Sequence, residues 1–270
     1  MSNHVNTFRS LHTPSRPLVL PNAWDAASAR VFEAAGAAAV ATTSAGVAWS
    51  HGYRDGNQLP VAAVHALAAS LTRVVAIPVS IDFEAGYSDD PARVAEHVVP
   101  LLDCGVAGIN LEDGTAPPEL LERKIAAIRG AVARHGSDLF INARTDVYLQ
   151  GLVPAGQRLE EAIARGNRYR AVGADGIFVP ALASVEAIRA VVQRVALPLN
   201  LLAWQGLPAL AELSQLGVSR LSAGSGLVQL VWGRAEAVAR EFLSSGDSSL
   251  FAAGGKTHRE LQSLFAADKA

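Results

Sequence analysis

Leu101-Leu102-Asp103-Cys104-Gly105-Val106-Ala107-Gly108-Ile109-Asn110-Leu111-Glu112-Asp113-Gly114 holds one period of the pattern that organises the chain. An apolar helix end meets Gly105, where a left-handed C-cap is wanted. A short apolar run from Gly108 to Glu112 follows, the mark of a strand buried on both faces. Acids then close the strand. The same joint recurs outward in both directions, at Gly36, Gly173 and Gly217. Strands are expected at Leu18 to Pro21, Ala38 to Thr42, Ile77 to Asp82, Gly108 to Glu112, Leu139 to Arg144, Gly176 to Val179, Leu199 to Leu201 and Arg220 to Ser222. Ala-rich helical stretches fit between them: Ala26 to Ala35, Val61 to Val74, Pro91 to Cys104, Pro118 to His135, Ala155 to Val172, Ser184 to Val192 and Leu207 to Leu216. Gly224 to Leu243 supplies an eighth. Alternating strands and helices in this number imply an α/β protein, a closed (β/α)8 TIM barrel spanning residues 1–243. Residues 244–270 read as a Ser/Gly-rich linker to Gly255 and an amphipathic helix, His258 to Lys269. Its Leu261, Leu264 and Phe265 stripe is suited to a partner subunit.

Bulk properties exclude several classes. The chain has 270 residues, half of them hydrophobic, and a formal net charge of -2, so no basic face for nucleic acid is expected. No apolar run approaches the roughly 20 residues of a membrane span. Met1 to Arg16 is polar, without the apolar region of a secretory signal. The single cysteine, Cys104, excludes an internal disulfide and suits a reducing cytoplasm. At a helix end it reads as a buried structural thiol ahead of a nucleophile. No Gly-x-Gly-x-x-Gly follows the first strand, no His-x-His or His-x-x-x-His occurs, and no lysine lies on an expected strand. These absences argue against a Rossmann site, a histidine-bound metal and Schiff-base chemistry.

Barrel enzymes place their chemistry at the C-terminal ends of strands. There the sequence puts Asp82 and Glu84, Glu112, and Arg144. Strand alternation projects Asp82 and Glu84 to one side. Three crowded carboxylates repel unless a cation sits among them. A hard ion answers this, Mg²⁺ or Mn²⁺ in its place, held by Asp82, Glu84 and Glu112. Arg144 is placed to grip a carboxylate or phosphonate with two parallel bonds, or to pair with Glu112 or Asp146. The Thr43-Ser44-Ala45-Gly46 turn offers hydroxyls and backbone N–H groups for a substrate carboxylate. Asp25 serves equally as a helix N-cap or a site residue. His51 lies beside the site, as a general acid or as a solvated loop histidine.

Val79-Ser80-Ile81-Asp82-Phe83-Glu84-Ala85-Gly86-Tyr87, Gly108-Ile109-Asn110-Leu111-Glu112-Asp113 and Asn142-Ala143-Arg144-Thr145-Asp146 resemble the isocitrate lyase/phosphoenolpyruvate mutase superfamily. Pro21-Asn22-Ala23-Trp24-Asp25 and Gly52-Tyr53-Arg54-Asp55 are similar to it too, so the likeness runs from about Leu18 to Leu243. The resemblance implies a barrel that exchanges its last helix between the subunits of a homo-oligomer, a dimer or a tetramer. It implies a Mg²⁺-dependent lyase that acts on a small 2-oxo acid or 2-hydroxy dicarboxylate through an enolate, cleaving a C–C or C–P bond. Asp55, Asp82, Glu84 and Glu112 match its acidic metal-site positions. Thr43, Ser44 and Ala45 match the carboxylate-holding turn, Arg144 the substrate-gripping arginine and Asn200 a pocket asparagine. Asp55, Glu112 and Arg144 are thereby the expected catalytic set, and Thr43, Ser44, Ala45, Asp82, Arg144 and Asn200 the expected substrate contacts. One departure stands out. The family's lyases carry a gating loop with a Lys-Lys/Arg-Cys-Gly-His signature after the Glu-Asp, its cysteine the catalytic acid. Here Glu112-Asp113-Gly114-Thr115-Ala116-Pro117-Pro118 runs almost directly into a helix, and Cys104 precedes the strand. Two alternatives follow: an oxaloacetate decarboxylase or hydrolase akin to phosphonopyruvate hydrolase, and a 2-oxo-acid-binding protein with little turnover.

Overall fold

A computed structural model describes residues 2–252 and 254–265. Nine parallel strands form one sheet: β1 (Leu18–Leu20), β2 (Asn22–Ala23), β3 (Val40–Thr42), β4 (Val79–Asp82), β5 (Gly108–Glu112), β6 (Phe140–Arg144), β7 (Gly176–Phe178), β8 (Leu199–Leu202) and β9 (Arg220–Ser222). Their order is β1-β9-β8-β7-β6-β5-β4-β3-β2. The first expected strand is two segments because Pro21 interrupts it. Proline has no N–H to give the ladder, yet the Pro21 carbonyl still accepts from Ala41 N at 3.2 Å. β1 pairs with β9 and β2 with β3, so this one broken strand joins both edges of the sheet and nearly closes the barrel.

Helices accompany the sheet, most of them on its outside. They are α1 (Ser2–Ser10), α2 (Ala26–Ala34), α3 (Ser44–Ser50), α4 (Val61–Val74), α5 (Pro91–Asp103), α6 (Pro118–His135), α7 (Arg158–Ala171), α8 (Val185–Val195), α9 (Leu210–Gln215), α10 (Gly226–Ser245) and α11 (His258–Phe265). None is long and apolar enough to cross a membrane. The larger core lies between helices and sheet, around Ile81, Ile109, Leu111 and Ile141. A second core lies inside the barrel at its N-terminal end. There α1, not expected from the sequence, inserts Val5 and Phe8 beside Leu18, Leu20, Ala41 and Phe140. Gly108 makes room for this plug, since a Cβ there would stand 2.9 Å from the Phe8 ring.

The C-terminal elements pack lightly. Of α10 only Val228 is buried, while Leu230 and Leu243 are 70% and 84% exposed. Within the expected linker, Ser248–Ala252 forms a short 3-10 turn that sets Phe251 against Phe242, ring centres 5.0 Å apart. Arg30 Nε donates to the Leu264 carbonyl at 2.7 Å, so α11 lies against α2 of its own chain. Residues 266–269 of that expected helix lie outside the described residues.

Candidate active site

The site begins where β4 ends. Asp82 N donates to Thr42 Oγ1 at 2.7 Å, and Asp82 Oδ2 accepts from Ser44 N at 3.0 Å. Asp82 Oδ1 is buried with no hydrogen-bond partner. The strand pleat does not continue to Glu84. Glu84, Gly86 and Tyr87 have φ of 47°, 89° and 59°, so the expected alternation of Asp82 and Glu84 does not hold. Such left-handed residues cost about 1–3 kcal/mol each when not glycine and collect at functional sites. Gly86 is obligatory on a second ground: a Cβ there would meet Val94 at 2.5 Å. The bend buries the Glu84 carboxylate, which accepts from Tyr87 OH at 2.7 Å and from Asn57 N. Burial raises its proton affinity, and those two bonds oppose the rise. Asn57 Oδ1 accepts in turn from Ala85 N and Tyr87 N, each at 3.3 Å, and buried Lys124 donates to the Ala85 carbonyl at 2.8 Å. The loop carrying Asp55 is thus fastened to the loop carrying Glu84.

β5 and β6 bring Glu112 and Arg144 into register. Arg144 Nη1 pairs with Glu112 Oε2 at 2.8 Å, Nε donates to Asp146 Oδ1 at 2.6 Å and Nη2 to Asp146 Oδ2 at 3.0 Å. The sequence reading left a grip on substrate and an internal ion pair open; the ion pairs are present. Burial pushes the Glu112 carboxyl up to about 8, with Asp82, Asp146 and Glu84 adding to the rise and Arg144 opposing it. The acids around Arg144 outweigh its own burial and hold it charged.

Asp113 is a supporting residue that the sequence reading passed over. Its side chain is fully buried and accepts from Asp146 N at 2.9 Å, Arg165 Nη1 at 2.9 Å and Tyr169 OH at 2.6 Å. Hydrogen bonds to a charged group contribute about 1.5–3 kcal/mol each. The network ties α7 to the turn that aims Asp146, and Asp146 aims Arg144. Arg165 and Tyr169 stand four apart on one helix face, which is the signal the sequence offered.

Asp55 sits on an exposed loop, yet its carboxyl is pushed up by desolvation and by Asp82, against a bond to Ser44 and the charge of Arg144. Asp82 is therefore the common electrostatic neighbour of Asp55, Glu84, Glu112 and Arg144. Thr43, Ser44 and Ala45 open the short helix α3 where a simple turn was expected, with Ser44 N already given to Asp82. Gly46 lets this helix approach: its Cβ would stand 3.1 Å from both Trp24 and Val228. Asn200 lies buried inside the barrel, where its Oδ1 accepts from Ser222 Oγ at 3.0 Å and its Nδ2 has no partner. Three residues fall outside the site. Asp25 caps α2 through Ser28, His51 bonds back to the Val47 carbonyl at the end of α3, and Cys104 caps α5.

Among the described residues, no three His, Cys, Asp or Glu side chains converge to hold a metal ion by direct ligation alone. The donor set nonetheless fits a hard cation that keeps most of its waters. Asp82 Oδ1 is a buried anionic oxygen with nothing bonded to it, and Glu84, Glu112 and Asp55 surround it at longer range.

A family model described as Phosphoenolpyruvate phosphomutase matches residues 8–243. An uncharacterised protein of Mycobacterium tuberculosis is 39% identical over 81% of this chain and 82% of its own length. A 2-methylisocitrate lyase of Halalkalibacterium halodurans is 30% identical over 83% of this chain and 72% of its own. The crystal structure of 2,3-dimethylmalate lyase superposes with a TM-score of 0.85 at 26% identity, covering 97% of this chain and 94% of that one. The broken first strand, the bent acid loop after β4 and the Glu112–Arg144 pair thus sit in a barrel shared with known lyases, and the chain belongs to the phosphoenolpyruvate phosphomutase family.

Proposed function

We propose that the protein is a Mg²⁺-dependent lyase that cleaves a small 2-hydroxy dicarboxylate or 2-oxo acid through an enolate. One observation carries the reading: the partnerless buried Asp82 Oδ1 stands among acids beside the buried cation of Arg144. The names of relatives support it, among them 2-methylisocitrate lyase, 2,3-dimethylmalate lyase of Eubacterium barkeri and oxaloacetate decarboxylase of Pseudomonas fluorescens. Asp82 would hold Mg²⁺, with Glu84 and Glu112 nearby, and the ion would supply Lewis-acid stabilisation of negative charge developing on the substrate. Arg144 and the Thr43-Ser44-Ala45 segment hold the substrate carboxylate, and Asn200 Nδ2 is a donor in the pocket wall. Asp55, with a carboxyl already disposed to hold a proton, moves the proton at the 2-hydroxyl. The connection from β5 to α6, residues 113–117, is short, with no length for a gate over the mouth. That favours decarboxylation or hydrolysis of oxaloacetate or phosphonopyruvate as the second reading.

Turnover of 2-methylisocitrate, 2,3-dimethylmalate, oxaloacetate and phosphonopyruvate, each with Mg²⁺ and with EDTA, tests both readings. Product from one of them, lost on chelation and restored by Mg²⁺ or Mn²⁺, is expected. Oxo-acid binding without product from any would instead assign a binding protein. The proposal extends to a homo-oligomer in a reducing cytoplasm. Leu230, Val231 and Leu243 on α10 are exposed, and an apolar groove of about 450 Å³, lined by Val19, Phe32, Ala37, Leu221 and Leu227, would take a partner's α10. Light scattering is expected to give the mass of at least two chains; a monomer at micromolar concentration would remove this part.

A further inference from the structure

One charge in the barrel has no part in the site as described. Arg220, on β9, is 0% exposed. β9 and β5 lie on opposite sides of the barrel, and Arg220 spans it: Nη2 reaches Asn110 Oδ1 on β5 at 3.4 Å while Nε donates to Ser222 Oγ at 2.9 Å. The guanidinium stands 5.8 Å from the centre of the Phe8 ring on the α1 plug. Its Nη1 has no hydrogen-bond partner, and no carboxylate among the described residues forms an ion pair with it. Burial lowers its pKa to about 9, and the one acid that opposes the drop is Asp82. A guanidinium keeps its proton in proteins, so Arg220 is a cation.

A buried cation without a paired anion is costly. A strut across the barrel needs no charge, because the groups it touches, the Asn110 amide oxygen and the Ser222 hydroxyl, are neutral. What the charge changes is the field above it. Asp55, Asp82, Glu84, Glu112 and Asp146 crowd the mouth, with Arg144 as their only paired cation among the described residues, and an oxo acid adds further negative charge. In a dry barrel interior of low dielectric, a fixed charge acts across several ångströms without contact. We propose that Arg220 is a positioning residue, a buried positive floor whose field lets the acid-lined pocket accept an anionic oxo acid. This rests on the lyase reading above.

The test is calorimetric titration of the Mg²⁺-loaded protein with oxalate, a planar dianion that mimics an enolate, together with melting curves. Arg220→Gln keeps a polar end near Ser222 but removes the charge and the reach to Asn110; Arg220→Met removes charge and polarity; Arg220→Lys also falls short of Asn110 but keeps the charge. Gln and Met are expected to raise the oxalate dissociation constant about tenfold or more, the scale of one partly screened buried charge. Lys is expected to stay within about threefold of the parent, since the charge remains. Arg220→Met is expected to melt no lower than the parent, because the unpaired charge is gone, so that affinity falls while stability holds. Parent-like affinity in Arg220→Gln would overturn the inference, since the charge would then be dispensable. Equal loss in all three variants with lowered melting would overturn it in favour of packing. A parent protein that does not bind oxalate at all would instead remove the lyase reading, and this inference with it.

Discussion

Arg144→Lys is expected to weaken oxo-acid binding ten- to a hundredfold while the melting temperature changes little. A guanidinium has five N–H groups. Two of Arg144's are donated to Asp146, and Nη1 stands 2.8 Å from Glu112 Oε2 as an ion pair rather than a hydrogen bond, which leaves an N–H to give on each terminal nitrogen. That pair is a fork suited to a carboxylate, already held in place by protein acids on its other sides. The internal ion pairs are therefore no rival to a grip on substrate; they are what aims it. Lysine would keep a charge near Glu112 and Asp146 but replace the fork by a single shorter-reaching donor. Losing one charge-assisted hydrogen bond costs roughly 1.5–3 kcal/mol, which is the stated range in affinity. Calorimetric titration of parent and variant with oxalate measures it, and a melting curve reports the ion pairs separately. An unchanged dissociation constant would withdraw Arg144 from substrate and leave the carboxylate to the Thr43-Ser44-Ala45 segment.

The strand ends were readable because a barrel strand buried on both faces is a largely apolar run closed by its first charged residue, and Asp82, Glu112 and Arg144 are those residues. Glu84 was placed at the right loop for the wrong reason. Alternation presumes extended backbone, and the left-handed bend that buries its carboxylate depends on Tyr87, Asn57 and Lys124, which reach it from three segments. α1 was invisible because only Val5 and Phe8 of a polar stretch point inward, too few to make a periodic stripe. α3 read as a turn because Thr43-Ser44-Ala45-Gly46 is a run of small residues, and its helix is paid for by packing on Trp24 and Val228. Arg220 was counted as the first residue of a strand. Nothing local distinguishes a charge that enters a barrel from one that leaves it, because that depends on register with β8 and β1.

Asp82→Asn is expected to abolish turnover, by about a thousandfold or more, and to leave the ligand-free protein as stable as its parent or slightly more so. The carboxylate has two unlike oxygens. Oδ2 accepts from Ser44 N, and an amide oxygen would keep that bond. Oδ1 has no partner, and the amide would put an NH₂ there, aimed where a cation belongs. Removing the anion also relieves Asp55, Glu84 and Glu112, each of which is held more protonated by its charge. Stability without ligand and response to ligand should therefore separate. A ligand at a hundred times its dissociation constant stabilises a folded protein by about 2.7 kcal/mol, so Mg²⁺ should raise the parent's melting temperature by several degrees and the variant's not at all. Melting curves with EDTA and with Mg²⁺, run on both proteins, measure the difference directly. If Asp82→Asn keeps the parent's response to Mg²⁺, the ion is held elsewhere, and the partnerless oxygen at the end of β4 has another use.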